Sequence, residues 1–141
     1  MPWKSAEGVD VVHFDSIDST NTYTSLNWQK FHPNKLTVVS AGEQTAGRGS
    51  RERSWLSPSD TGLYVTFCFQ LPLPLGEIPT LTQVLAISVV ESISKLGISG
   101  CQLKWPNDII LKNRKVGGIL AEVEFSGRSI ALILGVGVNV N

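Results

Sequence analysis

Residues 114–141 read R-K-V-G-G-I-L-A-E-V-E-F-S-G-R-S-I-A-L-I-L-G-V-G-V-N-V-N. Two apolar runs flank a Ser126-Gly127 turn, which is the pattern of an antiparallel strand pair. Because side chains alternate between the faces of a strand, the last run has one apolar face, made of Ile130, Leu132, Leu134, Val136, Val138 and Val140. Its other face ends in Gly135, Gly137, Asn139 and Asn141. We expect the first face to be core, and the second to lie close to a helix or a ligand.

Upstream of this pair, short apolar runs bounded by turn residues predict further strands. These runs are 9–14, 36–40, 63–70, and the C-Q-L-K-W and I-I-L segments on either side of Pro106. The K-N-R-K run predicts a hairpin with Asn113 at its turn. Residues 42–62 are rich in Gly, Ser, Arg and Glu, which predicts a long surface loop.

Two helices are predicted from capping residues and apolar spacing. The first begins at D-S-T-N (18–21) and runs to about Phe31. The second begins at a T-x-x-Q capping box at Thr80, and Gly97 ends it. The P-L-P-L-G-E-I-P run before it (72–79) predicts a rigid linker. The expected fold class is α+β, a mixed, mainly antiparallel sheet with the helices packed on one face.

The composition is that of a folded domain, and we expect one domain over residues 1–141. The chain is 42% hydrophobic and 17% charged, with a formal net charge of zero. That balance argues against a general nucleic-acid binder and against a polybasic membrane-surface protein. The sequence has neither a run long enough to span a bilayer nor the apolar core of a signal peptide. Cys68 and Cys101 are therefore predicted to be reduced thiols, with Cys68 in the core.

The neutral total hides a local excess of positive charge. Seven of the 12 Lys and Arg residues fall in two windows, 48–53 and 104–115. The first window lies in A-G-R-G-S-R-E-R-S-W (46–55), where glycine backbone can approach an anion and arginines supply forked donors to carboxylate or phosphate. A solvated basic loop is the alternative, and the segment matches neither a Walker loop nor a dinucleotide fingerprint. We expect a split anion site whose counter-charge is supplied by the substrate.

Three further segments combine polar residues with rigid or bare backbone. K-W-P-N-D (104–108) places Lys, Asn and Asp at a rigid corner, and a simple turn is the alternative. R-K-V-G-G-I-L (114–120) has a glycine pair in a strand, which indicates a bulge or a ligand near the backbone; an exposed hairpin lysine is the alternative. D-S-T-N either only caps a helix or also binds an anion or a ureido group.

The order of these segments is more specific than any one of them. D-S-T-N, E-Q-T-A-G-R-G-x-x-x-R-x-W, K-W-P-N-D, R-K-V-G-G-I-L and G-V-G-V-N closely resemble the catalytic domain of biotin–protein ligases over residues 12–141. The resemblance implies a fold like that of class II aminoacyl-tRNA synthetases and biotin synthetase. It implies that biotin and ATP, with Mg²⁺, form biotinyl-5′-AMP. A lysine of a biotin carboxyl carrier protein would then accept biotin, as in biotin–[acetyl-CoA-carboxylase] ligases.

The resemblance also implies roles for individual residues. Arg48 and Lys115 would be catalytic, holding biotin's carboxylate and the α-phosphate. Biotin would be bound by Ser19, Thr20, Gln44, Gly47, Arg48, Lys115, Gly118, Gly135 and Gly137. The nucleotide would be contacted by Arg48, Arg53, Trp55, Asn107, Lys115 and Asn139. No metal ligand is assigned.

The chain departs from the family pattern in the loop and at its end. Ser50 stands where a basic residue is common, and Glu52 where glycine is common. The sequence stops at Asn141 without the family's C-terminal β-barrel, and no helix-turn-helix precedes the motifs. We therefore expect a truncated catalytic domain without a DNA-binding repressor function.

The expected location is the cytoplasm, with the carrier protein as partner and no nucleic acid or membrane; a homodimer is left open. Two alternatives to the biotin ligase remain. One is a lipoate–protein ligase, which shares the fold. The other is a non-catalytic module that binds biotin or an adenylate.

Overall fold

The computed structural model describes residues 6–70 and 75–140, and within them seven strands form one sheet. The strands are β1 (Val9–Ile17), β2 (Leu36–Gln44), β3 (Gly62–Phe69), β4 (Cys101–Lys104), β5 (Asp108–Leu111), β6 (Arg114–Ser126) and β7 (Ser129–Asn139). Across the sheet they lie in the order β1-β2-β3-β7-β6-β5-β4. β1 and β2 pair in parallel, and the other neighbours pair antiparallel. The mixed, mainly antiparallel class predicted from the sequence is confirmed.

The helices of the described residues are α1 (Thr20–Asn27) and α2 (Ile78–Lys95). Ser19 caps α1 by accepting a hydrogen bond from the Thr22 backbone N–H, as D-S-T-N predicts. A short 3-10 turn follows α1 at Trp28–Lys30, so the α-helix itself ends earlier than Phe31. The chain then returns along β2, which brings Gln44 beside the start of α1.

The placement of both helices on one face of the sheet is wrong. The even-numbered side chains of β7 pack against α2: Val136 and Val138 belong to the same apolar cluster as Ala86. Odd-numbered residues face α1: a Cβ added at Gly135 would lie 2.1 Å from Oδ1 of Asn21. Because alternate side chains of a strand point to opposite faces of the sheet, the two helices lie on opposite faces. α1 shares the glycine-bearing face of β7.

The start of α2 also differs from the prediction. The helix begins at Ile78 with a proline in its first turn, and Glu77 precedes it without a side-chain cap, so Thr80 is not the N-cap. Proline suits the first turn because its missing N–H has no partner there in any helix. Residues 75–77 form a 3-10 turn, not a linker; residues 71–74 lie outside the described residues. Gly97 follows α2 with φ +89°, as expected of a terminating glycine.

The hairpin between β5 and β6 forms where Asn113 predicts it. Lys112 and Asn113 have φ values of 49° and 60°, the left-handed backbone of a two-residue hairpin turn. β6 then pairs with β7 along its length, and Gly118 lies opposite Gly137. The predicted faces of the last strand are confirmed over β7, while Asn141 lies outside the described residues.

Two apolar clusters hold the sheet together, one on each face. The α2 side contains Ala86, Ile109, Ile119, Val136 and Val138. The α1 side contains Trp28, Cys68, Ala131 and Ile133. Burial raises the pKa of the Cys68 thiol to about 11, so the thiol stays protonated at neutral pH and belongs to the core. No helix in residues 6–70 and 75–140 is long and apolar enough to cross a membrane.

Only part of α2 is packed tightly on the sheet. Ala86 is the one residue of the described helix that is fully buried. An apolar groove of about 570 Å³ lies between α2 and the sheet, lined by Phe67, Leu85, Val89 and Val138 among others. α2 is therefore less of a core helix than its apolar spacing predicts.

Candidate active site

A small polar cavity lies on the α1 face, where β7 and β6 meet the start of α1 and the 45–61 loop. Its volume is about 50 Å³. Ten of the residues predicted from the sequence line it: Ser19, Thr20, Gln44, Arg48, Trp55, Asn107, Lys115, Gly118, Gly135 and Gly137. Pockets for drug-sized ligands are usually several hundred Å³, so a ligand as large as an adenylate requires the lining side chains to shift.

At one end of the cavity, two residues that are predicted to bind biotin, Thr20 and Gln44, are hydrogen-bonded to each other. Oε1 of Gln44 accepts a hydrogen bond from the Thr20 backbone N–H at 2.8 Å and lies 3.0 Å from Oγ1 of Thr20. Nε2 of Gln44 donates to Oγ of Ser57 at 2.9 Å. Ser57 is buried and was not found from the sequence. Its bond fixes which way the Gln44 amide points, so it sets the donor and acceptor pattern at this end.

The 45–61 loop is more ordered than the predicted surface loop. Short antiparallel bridges join Gln44 to Ser57 and Arg48 to Ser54, so the loop folds back on itself as an irregular hairpin. Arg51 and Glu52 at its tip have φ values of 56° and 60°. That region favours glycine, which gives a physical reason why glycine suits the Glu52 position.

Four predicted glycines lie against different neighbours. A Cβ at Gly47 would lie 2.3 Å from the Trp55 carbonyl oxygen, and one at Gly137 would lie 2.6 Å from the Trp55 indole nitrogen. A Cβ at Gly135 would strike Asn21. At Gly118 the nearest atoms would be 3.7 Å away, an ordinary contact. Three of the glycines thus have packing reasons within the protein, whereas at Gly118 the protein itself would accommodate a Cβ.

Each predicted catalytic cation has a carboxylate partner from the protein. Nζ of Lys115 lies 3.0 Å from Oδ1 of Asp108, and Nη2 of Arg48 lies 3.0 Å from Oε1 of Glu122. Lys115 Nζ is also 5.5 Å from the centre of the Trp55 ring, within the range of a cation–π contact. The expectation that the substrate supplies the counter-charge is wrong, because Asp108 and Glu122 supply it.

Three predicted residues do not line the cavity. Gly47 is buried within the loop, against Trp55 and Ser57, and Arg53 is exposed to solvent. Asn139 lies two residues beyond Gly137 on β7 and is among the residues that line the apolar groove. Within the described residues, its Oδ1 and the Nε1 of Trp55 are buried without a hydrogen-bond partner. Both atoms belong to predicted nucleotide contacts, and a polar group brought to them would satisfy them.

Sequence reasoning missed several residues of the site: Asn21, Ser57, Thr66, Asp108 and Glu122. A signal existed for Glu122, since counting by two along β6 from Gly118 puts it on the same face. Asp108 belongs to the K-W-P-N-D motif. Its partner Lys115 lies across the β5–β6 hairpin, so their contact is known only once the strand register is known. Asn21 and Thr66 look like a cap and a buried strand residue.

A model of the biotin/lipoate A/B protein ligase family matches residues 13–139. The chain belongs to this family. Among curated members, it is 33% identical over 135 residues to the bifunctional ligase/repressor BirA of Bacillus subtilis. The match covers 95% of this chain and 41% of that protein. The BirA of Escherichia coli is also 33% identical over 135 residues.

Solved structures of family members share the fold. A biotin protein ligase from Aquifex aeolicus in complex with biotin and ATP is 34% identical, with a TM-score of 0.70, and the match covers 94% of this chain and 53% of that one. The Leishmania major biotin protein ligase in complex with biotinyl-5-AMP is 29% identical, with a TM-score of 0.71, covering 92% and 57%. The chain spans about two fifths of the length of these curated relatives.

Proposed function

We propose that this chain makes biotinyl-5′-AMP from biotin and ATP and transfers the biotinyl group to a lysine of a biotin carboxyl carrier protein. The observation that carries the proposal is the convergence of Arg48 and Lys115 on one cavity with Thr20, Gln44 and Gly118. Forming the adenylate brings a carboxylate onto a phosphate, two groups of like charge. Preorganised cations at that point are worth more than any other single contribution.

The residues divide between the two substrates. Thr20 and Gln44 would bind biotin's ring system with their hydroxyl and amide groups, while Gly118 admits its chain. A carboxylate oxygen of biotin would attack the α-phosphorus, the bond to pyrophosphate would break, and Arg48 and Lys115 would stabilise the developing charge. Trp55, Asn107 and Asn139 would contact the nucleotide. The amine of the acceptor lysine would then attack the acyl carbon, lose its proton and release AMP.

Mg²⁺ belongs to this proposal as a companion of ATP. Within the described residues no group of three or more His, Cys, Asp or Glu is placed to hold a metal ion. Mg²⁺ commonly binds through substrate phosphates, water and one or two carboxylates, and Asp108, which lines the cavity, fits that minimal set. Asp108 would be its ligand from the protein, and the ion would supply positive charge to the phosphates of ATP. A cytoplasmic location, where ATP and reduced thiols are available, is also part of the proposal.

Biotin is favoured over lipoate as the acid. The solved structures named above are biotin protein ligases, and the loop and K-W-P-N-D motifs resemble those of biotin–protein ligases. The deciding experiment incubates the chain with ATP, Mg²⁺, a carrier domain and either labelled biotin or labelled lipoate. Label transferred from biotin supports the ligase, and labelling by lipoate alone contradicts it. Adenylate without transfer supports the first step only, and biotin binding without adenylate supports a binding module.

Replacing Gly118 by alanine tests whether biotin lies against this glycine. A Cβ there has no protein atom closer than 3.7 Å, so the melting temperature should stay near that of the wild type. The methyl group would instead meet the ligand, and biotin affinity measured by calorimetry should fall about tenfold.

Gly135→Ala is the matched control, since its Cβ strikes Asn21 inside the protein. It should destabilise the fold by about 1–3 kcal/mol, seen as a lower melting temperature. Unchanged biotin affinity in Gly118→Ala would show that biotin does not approach this glycine.

A further inference from the structure

A continuous chain of polar contacts runs beneath the cavity from the biotin end to the loop. The backbone N–H of Thr20 donates to Gln44, and the Thr20 hydroxyl donates to Oγ1 of Thr66 at 2.8 Å. Thr66 donates to Oδ1 of Asn21 at 2.6 Å. Thr66 and Asn21 are buried, so these bonds are shielded from water. The chain fixes the Asn21 amide with its nitrogen towards β6.

Glu122 is the next member of this chain and its link to the loop. Its Oε1 accepts from Nδ2 of Asn21 at 3.2 Å and lies 3.0 Å from Nη2 of Arg48. The Glu122 side chain is 20% exposed, against 44% for Arg48. The carboxylate is therefore the more buried partner, and Asn21 also holds it. Nη1 of Arg48 also donates to Oγ1 of Thr22 at 3.3 Å, which sets the plane of the guanidinium.

We propose that Glu122 is a positioning residue that holds the Arg48 guanidinium, and with it the 45–61 loop, at the mouth of the cavity. The inference rests on the proposed function for its catalytic consequence and on geometry alone for the loop. An arginine has five N–H donors, and these two contacts leave others free for substrate oxygens. Holding the guanidinium in place before the reaction removes the cost of ordering it during the reaction.

Glu124 distinguishes the contact between Glu122 and Arg48 from the general attachment of β6 to α1. It lies on the same face two residues further along β6 and hydrogen-bonds Ser25 of α1. Both glutamates thus join the same strand to the same helix, and Glu122 alone of the two bonds Arg48. Glu124→Gln is therefore a matched control for Glu122→Gln, which keeps the shape of the side chain and removes its charge.

Trypsin cleavage tests the loop without any substrate. Arg51 and Arg53 are exposed in the loop, and their cleavage rates, located by mass spectrometry, report how firmly the loop is held. Losing the charged partner should speed cleavage about fivefold in Glu122→Gln and leave Glu124→Gln like the wild type. In an Arg48→Ala background, Glu122→Gln should not increase the cleavage rate any further. Equal rates in the two glutamine variants, or a full effect without Arg48, would overturn the proposal.

Single-turnover kinetics test the catalytic consequence. Glu122→Gln should slow adenylate formation about fivefold, and the dissociation constant of biotin should rise no more than it does in Arg48→Ala, because the ring contacts are left intact and only the carboxylate contact is loosened. A loss of biotin affinity greater than that of Arg48→Ala would instead indicate a collapsed site and overturn the positioning role. If the wild-type chain forms no biotinyl-adenylate, the proposed function fails, and the cleavage rates still decide the role of Glu122.

Discussion

Replacing Arg48 by alanine should slow biotinyl-adenylate formation by about 10²–10³-fold, the usual loss when one preorganised donor is removed from a charged transition state. The variant removes a cation from the cavity and leaves the Glu122 carboxylate, formerly 3.0 Å from it, without that partner. The remaining negative charge then opposes the two anions that must meet. Pyrophosphate release with biotin and ATP measures the effect.

The fold should survive this change. Arg48 is partly exposed, and ion pairs of that kind contribute at most about 1 kcal/mol to stability, so circular dichroism and the melting temperature should change little. Arg51→Ala is the control, because Arg51 carries the same charge in the same loop and is exposed. Adenylate formation in Arg48→Ala at the rate of Arg51→Ala would refute the role given to Arg48.

Lys115→Ala should slow adenylate formation by about 10²-fold or more, for a related reason. Lys115 stands between Asp108, 3.0 Å away, and the ring of Trp55. Removing it takes away the protein cation beside Asp108, in the cavity where the proposal puts phosphate oxygens. The variant loses the attraction of Lys115 for phosphate and also its screening of the negative charge of Asp108. The rate of ATP–pyrophosphate exchange measures this loss.

Arg114→Ala is the control for Lys115. Arg114 precedes it on β6, is exposed, and projects to the other side of the strand. Its loss removes the same charge from the same hairpin without opening the cavity. If the two variants exchange pyrophosphate equally fast, the effect of Lys115 is only a general loss of positive charge.

The elements fixed by local chemistry could be predicted from the sequence. The hairpin at Asn113, the cap at Ser19 and the glycine after α2 depend on neighbouring residues, and all three are confirmed. The face of the sheet on which α2 packs depends on the order of the strands in the sheet, and neighbouring residues do not determine that order. Apolar spacing shows that a helix has a buried side but not which face of a sheet receives it, and this expectation was wrong.

The candidate site divides in the same way. Glycines and cations stand out in sequence because few other roles need them in such numbers, and Arg48, Lys115 and Gly118 do meet at one cavity. Their partners do not stand out. Asn21 and Glu122 are 101 residues apart, and their contact exists because the register of β6 on β7 brings Glu122 beneath α1.

The placement of α1 and α2 on opposite faces gives the sheet the role of a partition. The polar chain and the cavity occupy one side, and the loosely packed apolar groove under α2 occupies the other. An engineer who wishes to make the protein more robust can therefore fill the groove with larger side chains on α2. Such repacking leaves the ion pairs of the opposite side untouched, so robustness and chemistry can be adjusted separately.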